Sequence, residues 1–202
     1  MNRIFSTAQN FVSHWEGSND PNGGLVDNPK DKGGITKHGV SIVFLTDFAV
    51  KNPEFCESLG IVGPITADTI RGLTGKQATL LFKHAFWDNP LRLDEFPSYT
   101  AIAVYDMAVN SGNGNSVKIL QRACNLKTTF LKALAVDGLI GPETRRRVFE
   151  IGKTDDKNLA LAHIKFRREF LESIVKNNPS QKVFLKGWNN RVNALERLII
   201  SL

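Results

Sequence analysis

Cysteine is scarce in this 202-residue chain: Cys56 and Cys124 are the only two, far apart and on apolar segments. That excludes a disulfide framework and thiolate metal ligation. Two buried free thiols are the simpler expectation, with a single bridge as the alternative for an exported chain. Histidine is also rare, and His14, His38, His84 and His163 lack paired spacing, so neither a metal site nor a cofactor is expected. No apolar run reaches the ~18 residues that a membrane span needs. The N-terminal Met-Asn-Arg-Ile-Phe-Ser-Thr-Ala-Gln-Asn has no apolar core followed by a small-residue cleavage site, so no secretory signal is read. Neither a low-complexity linker nor an internal repeat divides the chain.

What is present is helical periodicity. Ile4, Phe5, Ala8, Phe11, Val12 and Trp15 recur at spacings of three and four and predict a first helix. Ser41 can cap a second, with Pro53 closing it. Thr74-Gly75-Lys76-Gln77 is a capping box opening a helix that ends before Asn89-Pro90. Ser98 starts another, stopped near Ser111-Gly112, and Asn115 or Ser116 caps the next. Gly141-Pro142 puts proline at a first helical position, and two longer helices follow, from Asp155 to about Val175 and from Val183 to Leu202. Strand signal is confined to Leu25-Val26 and Ile35-Thr36, which could pair as a small hairpin. The expected fold is mainly α, with a small β-hairpin and loop region after the first helix. The 42% hydrophobic content is enough for a core.

Glu16 sits where the first apolar stripe runs out, next to Trp15. A carboxyl at the edge of a core is a usual setting for a general acid that protonates a glycosidic oxygen. From Gly17 to Gly34 the chain is mostly Gly, Pro, Asn and Asp, a surface against which an extended polymer could lie. Asp20, Asp27 and Asp31 are candidates for a second carboxylate that orients water or stabilises an oxocarbenium-like transition state. Thr36 could hold that water. The competing reading is a turn cluster in which Asp and Asn cap their own backbone.

The segment from Glu16 to Val40 resembles glycoside hydrolase family 108, whose signature is a Glu-Gly, an Asp-Pro-rich loop and Asp-x-Gly-Gly-x-Thr-x-x-Gly-Ile/Val. Here the last part reads Asp31-Lys32-Gly33-Gly34-Ile35-Thr36-Lys37-His38-Gly39-Val40. Further matches follow in the family's order: Ile65-Thr66-Ala67-Asp68, Phe86-Trp87, Leu93-Asp94-Glu95-Phe96-Pro97, Tyr105-Asp106-Met107-Ala108-Val109-Asn110-Ser111-Gly112, Val136-Asp137-Gly138-Leu139-Ile140-Gly141-Pro142-Glu143-Thr144 and Gly187-Trp188-x-x-Arg191. Ser18 departs from the pattern, where a second Gly is usual. The resemblance implies a lysozyme-like helical fold and an N-acetylmuramidase acting on peptidoglycan. It implies a catalytic lobe over residues 1–97 and a helical peptidoglycan-binding region over 98–202. Glu16 would be the acid, Asp31 the second carboxylate and Thr36 its support. Tyr105 and Asn110 resemble a helix that lines the glycan groove in phage-type lysozymes. A wall enzyme without a signal resembles endolysins released through a holin, or relatives linked to secretion, made in the cytoplasm and acting on the cell wall.

Lys plus Arg exceed Asp plus Glu by 26 − 20 = 6. A basic surface favours polyanions: nucleic acid, anionic lipid or a bacterial wall. The basic residues are scattered, with only Arg145-Arg146-Arg147 and Arg167-Arg168 as short clusters, so neither a nucleic-acid partner nor stable membrane insertion is expected. Two other readings stay open: a non-catalytic wall-binding module, and a lytic transglycosylase that cleaves the same bond with a lone acid.

Overall fold

The apolar periodicity becomes nine α-helices and one two-stranded sheet among the described residues of the computed structural model, which are 2–17, 20–27 and 34–202. The chain folds as two units. One is Gln9–Ala85; the other comprises Phe86–Leu202 together with the chain up to Ala8.

Helix α1 (Arg3–Trp15) enters the smaller unit at Gln9 and is prolonged there by one turn bond, Glu16 N donating to Val12 O at 2.9 Å. Gly17 then takes a left-handed conformation (φ +74°) that a side chain would resist. Strands β1 (Thr36–Lys37) and β2 (Val40–Ser41) form the sheet, with Thr36 opposite Ser41. Their two-residue connection, His38-Gly39, has φ of 51° and 77°, the positive pair that matches the twist of a tight hairpin. The pairing expected between Val26 and Thr36 is present as one antiparallel bridge, on the edge of β1 opposite to β2.

Ser41 caps α2 (Ile42–Lys51) by accepting from Phe44 N at 3.1 Å. Pro53 does more than close that helix, since it opens the short α3 (Pro53–Ser58), where its missing N–H costs nothing. Reciprocal capping boxes open α4 (Ala67–Gly72, with Thr66 and Thr69) and α5 (Gly75–Phe82, with Thr74 and Gln77). Helix α5 runs on as a π-helical turn, Lys83–Asp88. Leu45, Phe48, Ile61, Ile70, Leu81 and Phe82 make the core of this unit.

The larger unit is built around α6 (Ser98–Ser111), buried at every position from Thr100 to Ala108. Helices α7 (Asn113–Lys127), α8 (Pro142–Asn177) and α9 (Lys182–Ser201) pack around it. The two helices expected from Pro142 and Asp155 are one run broken at Asp155 (φ −142°, ψ 32°). The run lies so close to Pro97 at Gly152 that a Cβ there would fall 2.0 Å from the proline Cγ. Beside the break, Asp156 caps α6 across space: Oδ2 accepts from Tyr99 N (2.9 Å) and Oδ1 from Thr100 N (3.0 Å) and Thr100 Oγ1 (2.7 Å).

The segment between α7 and α8 has no regular structure, and two amides from α7 hold it. Asn125 exchanges hydrogen bonds with the backbone of Leu134 in both directions. Gln121 donates to Asp137 Oδ1 and Leu139 O and accepts from Gly138 N. Asp137 is thereby a structural residue, its carboxyl held low by the Leu139 N–H and by Gln121. A cavity of about 750 Å³ opens along this segment, lined by Leu134, Leu139, Pro142 and Thr144 among others. Both cysteines are buried and free, and burial pushes the Cys124 thiol up to about 12.

Candidate active site

Glu16 lies at the end of α1 against the hairpin turn. A Cβ at position 39 would sit 2.7 Å from Glu16 Cβ and 3.2 Å from its Oε2, so only glycine lets the turn approach the carboxyl. Thr36 opens the same hairpin, and its backbone N–H and C=O both pair with Val26 at 2.9 Å, fixing the strand on which its hydroxyl stands. The smaller unit therefore brings Glu16 and the Thr36 hairpin to one place.

The described residues of the loop before the hairpin are held by close backbone approach and turn bonds. Gly17 and Gly24 meet face to face: a Cβ on Gly24 would lie 3.0 Å from Gly17 O. Asp20 is a turn former whose Oδ1 accepts from Asn22 N at 2.8 Å. Asp27 is engaged by Arg71 at 2.6 Å, in an exposed ion pair. Asp31 lies outside the described residues.

His38 fixes the turn to this loop. Its N–H donates to Gly23 O at 2.6 Å, and its ring covers Gly23 so closely that a Cβ there would meet Cε1 at 2.3 Å. Burial, aided by the charge of Lys37, pulls the imidazole below its ordinary value. A cleft of about 530 Å³ runs between His38, Lys37, Gly23 and Leu25 on one side and Leu73 and Thr74 on the other.

Tyr105 and Asn110 belong to the larger unit. Tyr105 is 0% exposed, edge-on to Phe5 (5.7 Å) and Trp87 (5.4 Å), so its ring packs behind α6 and offers no face to a sugar. Trp87 is an anchor as well, fully buried with its indole N–H on Asp94 at 2.9 Å. Asn110 is half-buried near the end of α6, and its Oδ1 accepts from Ser111 Oγ (3.0 Å) and Arg167 Nη2 (3.4 Å).

Arg167 is part of a buried cluster. Its Nη1 donates to Asp106 Oδ2, while Arg191 grips Asp106 Oδ1 through Nε (3.0 Å) and Nη2 (2.8 Å). Burial alone would raise the Asp106 carboxyl, but the two guanidinium groups outweigh it and hold it below the usual carboxylate range. Nothing in the local sequence announces these partners, which come from three different helices. Gly39 carries a more legible signal, since a Gly two residues past a strand marks a tight turn.

A carboxylate at a helix end with a glycine turn pressed on it, in a mainly helical lysozyme-like frame, fits a glycoside hydrolase. The chain belongs to glycosyl hydrolase family 108. The model of that family, described as Glycosyl hydrolase 108, matches residues 10–112, which include Glu16, Thr36, Tyr105 and Asn110. A second model, described as Predicted Peptidoglycan domain, matches residues 115–193. Together they make the protein a peptidoglycan hydrolase. Among solved structures, that of SagA from Brucella abortus is similar, with a TM-score of 0.70 and 24% identity, covering 98% of this chain and 94% of SagA. No curated protein matches.

Proposed function

We propose that this peptidoglycan hydrolase is an N-acetylmuramidase cleaving the β-1,4 bond between N-acetylmuramic acid and N-acetylglucosamine. The observation that carries the reading is the seating of the Glu16 carboxyl against Gly39, in the turn of the hairpin that begins at Thr36. Glu16 gives its proton to the glycosidic oxygen as the bond to the anomeric carbon breaks. Asp31, in the family's Asp-x-Gly-Gly-x-Thr pattern, stabilises the developing cation and orients the attacking water. The Thr36 hydroxyl holds that water. Asn110 contacts the bound polymer from α6, and Tyr105 supports that helix from behind. In this division of labour residues 1–97 form the catalytic lobe and 98–202 retain the wall polymer. The proposed route to the substrate is endolysin-like, through a holin-type pore or another exporter; no helix among the described residues is long and apolar enough to cross a membrane.

Turbidity loss of purified peptidoglycan, measured for the wild type and Glu16→Gln, tests the acid. Proton donation typically contributes ~10²–10⁴-fold, so the Gln variant should lose that much turnover while still binding sacculi. Near wild-type clearing by Glu16→Gln would sink the mechanism, and a wild type that binds without clearing would make the protein a wall-binding module. Mass spectrometry of the released muropeptides checks the water: products lighter by one water would identify a lytic transglycosylase instead.

A further inference from the structure

In the buried Arg191–Asp106–Arg167 cluster one carboxylate is shared by two guanidinium groups. Asp106 commits Oδ1 to Arg191 and Oδ2 to Arg167, leaving the second arm of Arg167 in need of an acceptor. The Asn110 carboxamide supplies it at 3.4 Å. A guanidinium has donors only, so the amide oxygen must be the atom facing it. That fixes which way the amide points: oxygen toward Arg167, with Nδ2 left without a partner among the described residues. Asn110 is also where the chain from Arg191 through Asp106 and Arg167 comes to the surface, since the three charged side chains are all buried and Asn110 only half so.

We propose that Arg167 is a positioning residue for Asn110, holding its amide so that Nδ2 donates to a carbonyl oxygen of the wall polymer, on an acetamido group or a stem peptide. The inference rests on the reading that α6 contacts substrate. Because Asp106 clamps Arg167 in turn, the donor is oriented before the polymer arrives, and binding need not order it.

The test uses soluble peptidoglycan fragments with and without stem peptides, and measures KM and kcat separately. Asn110→Asp keeps an acceptor for Arg167 and removes the donor, so it should raise KM about tenfold, as should Asn110→Ala, with kcat little changed. Arg167→Lys keeps a cation beside Asp106 but has no second arm for Asn110, and should raise KM to a similar extent. Combined with Asn110→Ala it should add nothing further. Persistence of the effect on peptide-free fragments assigns the carbonyl to the acetamido group; its confinement to peptide-bearing fragments assigns it to the stem. Wild-type KM in Asn110→Asp overturns the donor role, and does so even if the buried Arg167→Lys change prevents folding. Wild-type KM in Arg167→Lys beside a defective Asn110→Ala, or additive losses in the double variant, overturns the positioning role alone. Wild-type KM in Asn110→Ala removes α6 from the substrate contact altogether, leaving the role of Glu16 to its own test.

Discussion

Two single residues have effects that their chemical type does not reveal. Gly39 is a turn glycine, but its contact with Glu16 makes it part of the site. Gly39→Ala should combine a strain of about 1–2 kcal/mol for a left-handed alanine with displacement of the carboxyl. A misplacement of about 1 Å can cost ~10²-fold in rate, so turbidity assays should show a loss of that order with wall binding retained. Gly63→Ala is the control: it has the same sign of φ (+82°) and nothing within 4 Å of its Cβ. Equal losses in both variants would assign the effect to backbone strain and clear Gly39 of any link to the acid. His163 is the second case. It is fully buried, and desolvation, reinforced by the charge of Arg167, lowers it to about 3. Its folded value lies below the unfolded one of about 6.5, so protons favour the unfolded chain. The stability His163 permits is complete above pH ~6.5 and is lost progressively as pH falls toward 3, by about 1.4 kcal/mol per pH unit. Urea unfolding between pH 7 and 5.5, above most carboxylate titration, should show stability falling toward that slope, and His163→Leu should reduce the fall to the smaller contribution of His38. An unchanged slope would place the proton uptake elsewhere.

The elements were legible wherever local chemistry decides them. The Thr74 and Gln77 box, the Ser41 cap, Pro142 at a helix start and the apolar stripe before Glu16 all depend on residues within one or two turns of each other, and all stand in the structure. Legibility failed where an element is completed from far away. Helix α6 has Pro97 at its N-cap and no side-chain cap of its own, so its start is stabilised by Asp156, more than fifty residues later. Asp156→Ala should therefore act as the loss of a helix cap and cost about 1–2 kcal/mol, read as a fall of several degrees in thermal midpoint. No change would mean that the backbone amides of Tyr99 and Thr100 find water as good a partner. The candidate site divides in the same way. Glu16 and Thr36 were readable as types in a pattern, whereas the pairing of Asp106 with Arg167 and Arg191 needs three helices in place, and sequence spacing carries no trace of it.

At the scale of the whole molecule, the charge excess of +6 is spread over the chain. If it serves recruitment, the attraction is between exposed charges and should weaken as the screening length falls from ~10 Å at 0.1 M salt to ~3 Å at 1 M. Retention on whole sacculi should then drop with salt, while cleavage of short, weakly charged glycan fragments changes less; superimposable salt curves would deny the basic surface that role. The segment between α7 and α8 has a different consequence. Gln121 and Asn125 do for it what a neighbouring strand does for a β-strand, giving its backbone groups partners it lacks within itself. Its conformation is thus set by the helices that flank it. Phe130 and Leu131 face solvent, while the shape of the cavity wall is set by side chains that do not belong to the segment at all, these two amides from one side and Arg147, which donates to Lys132 O, from the other.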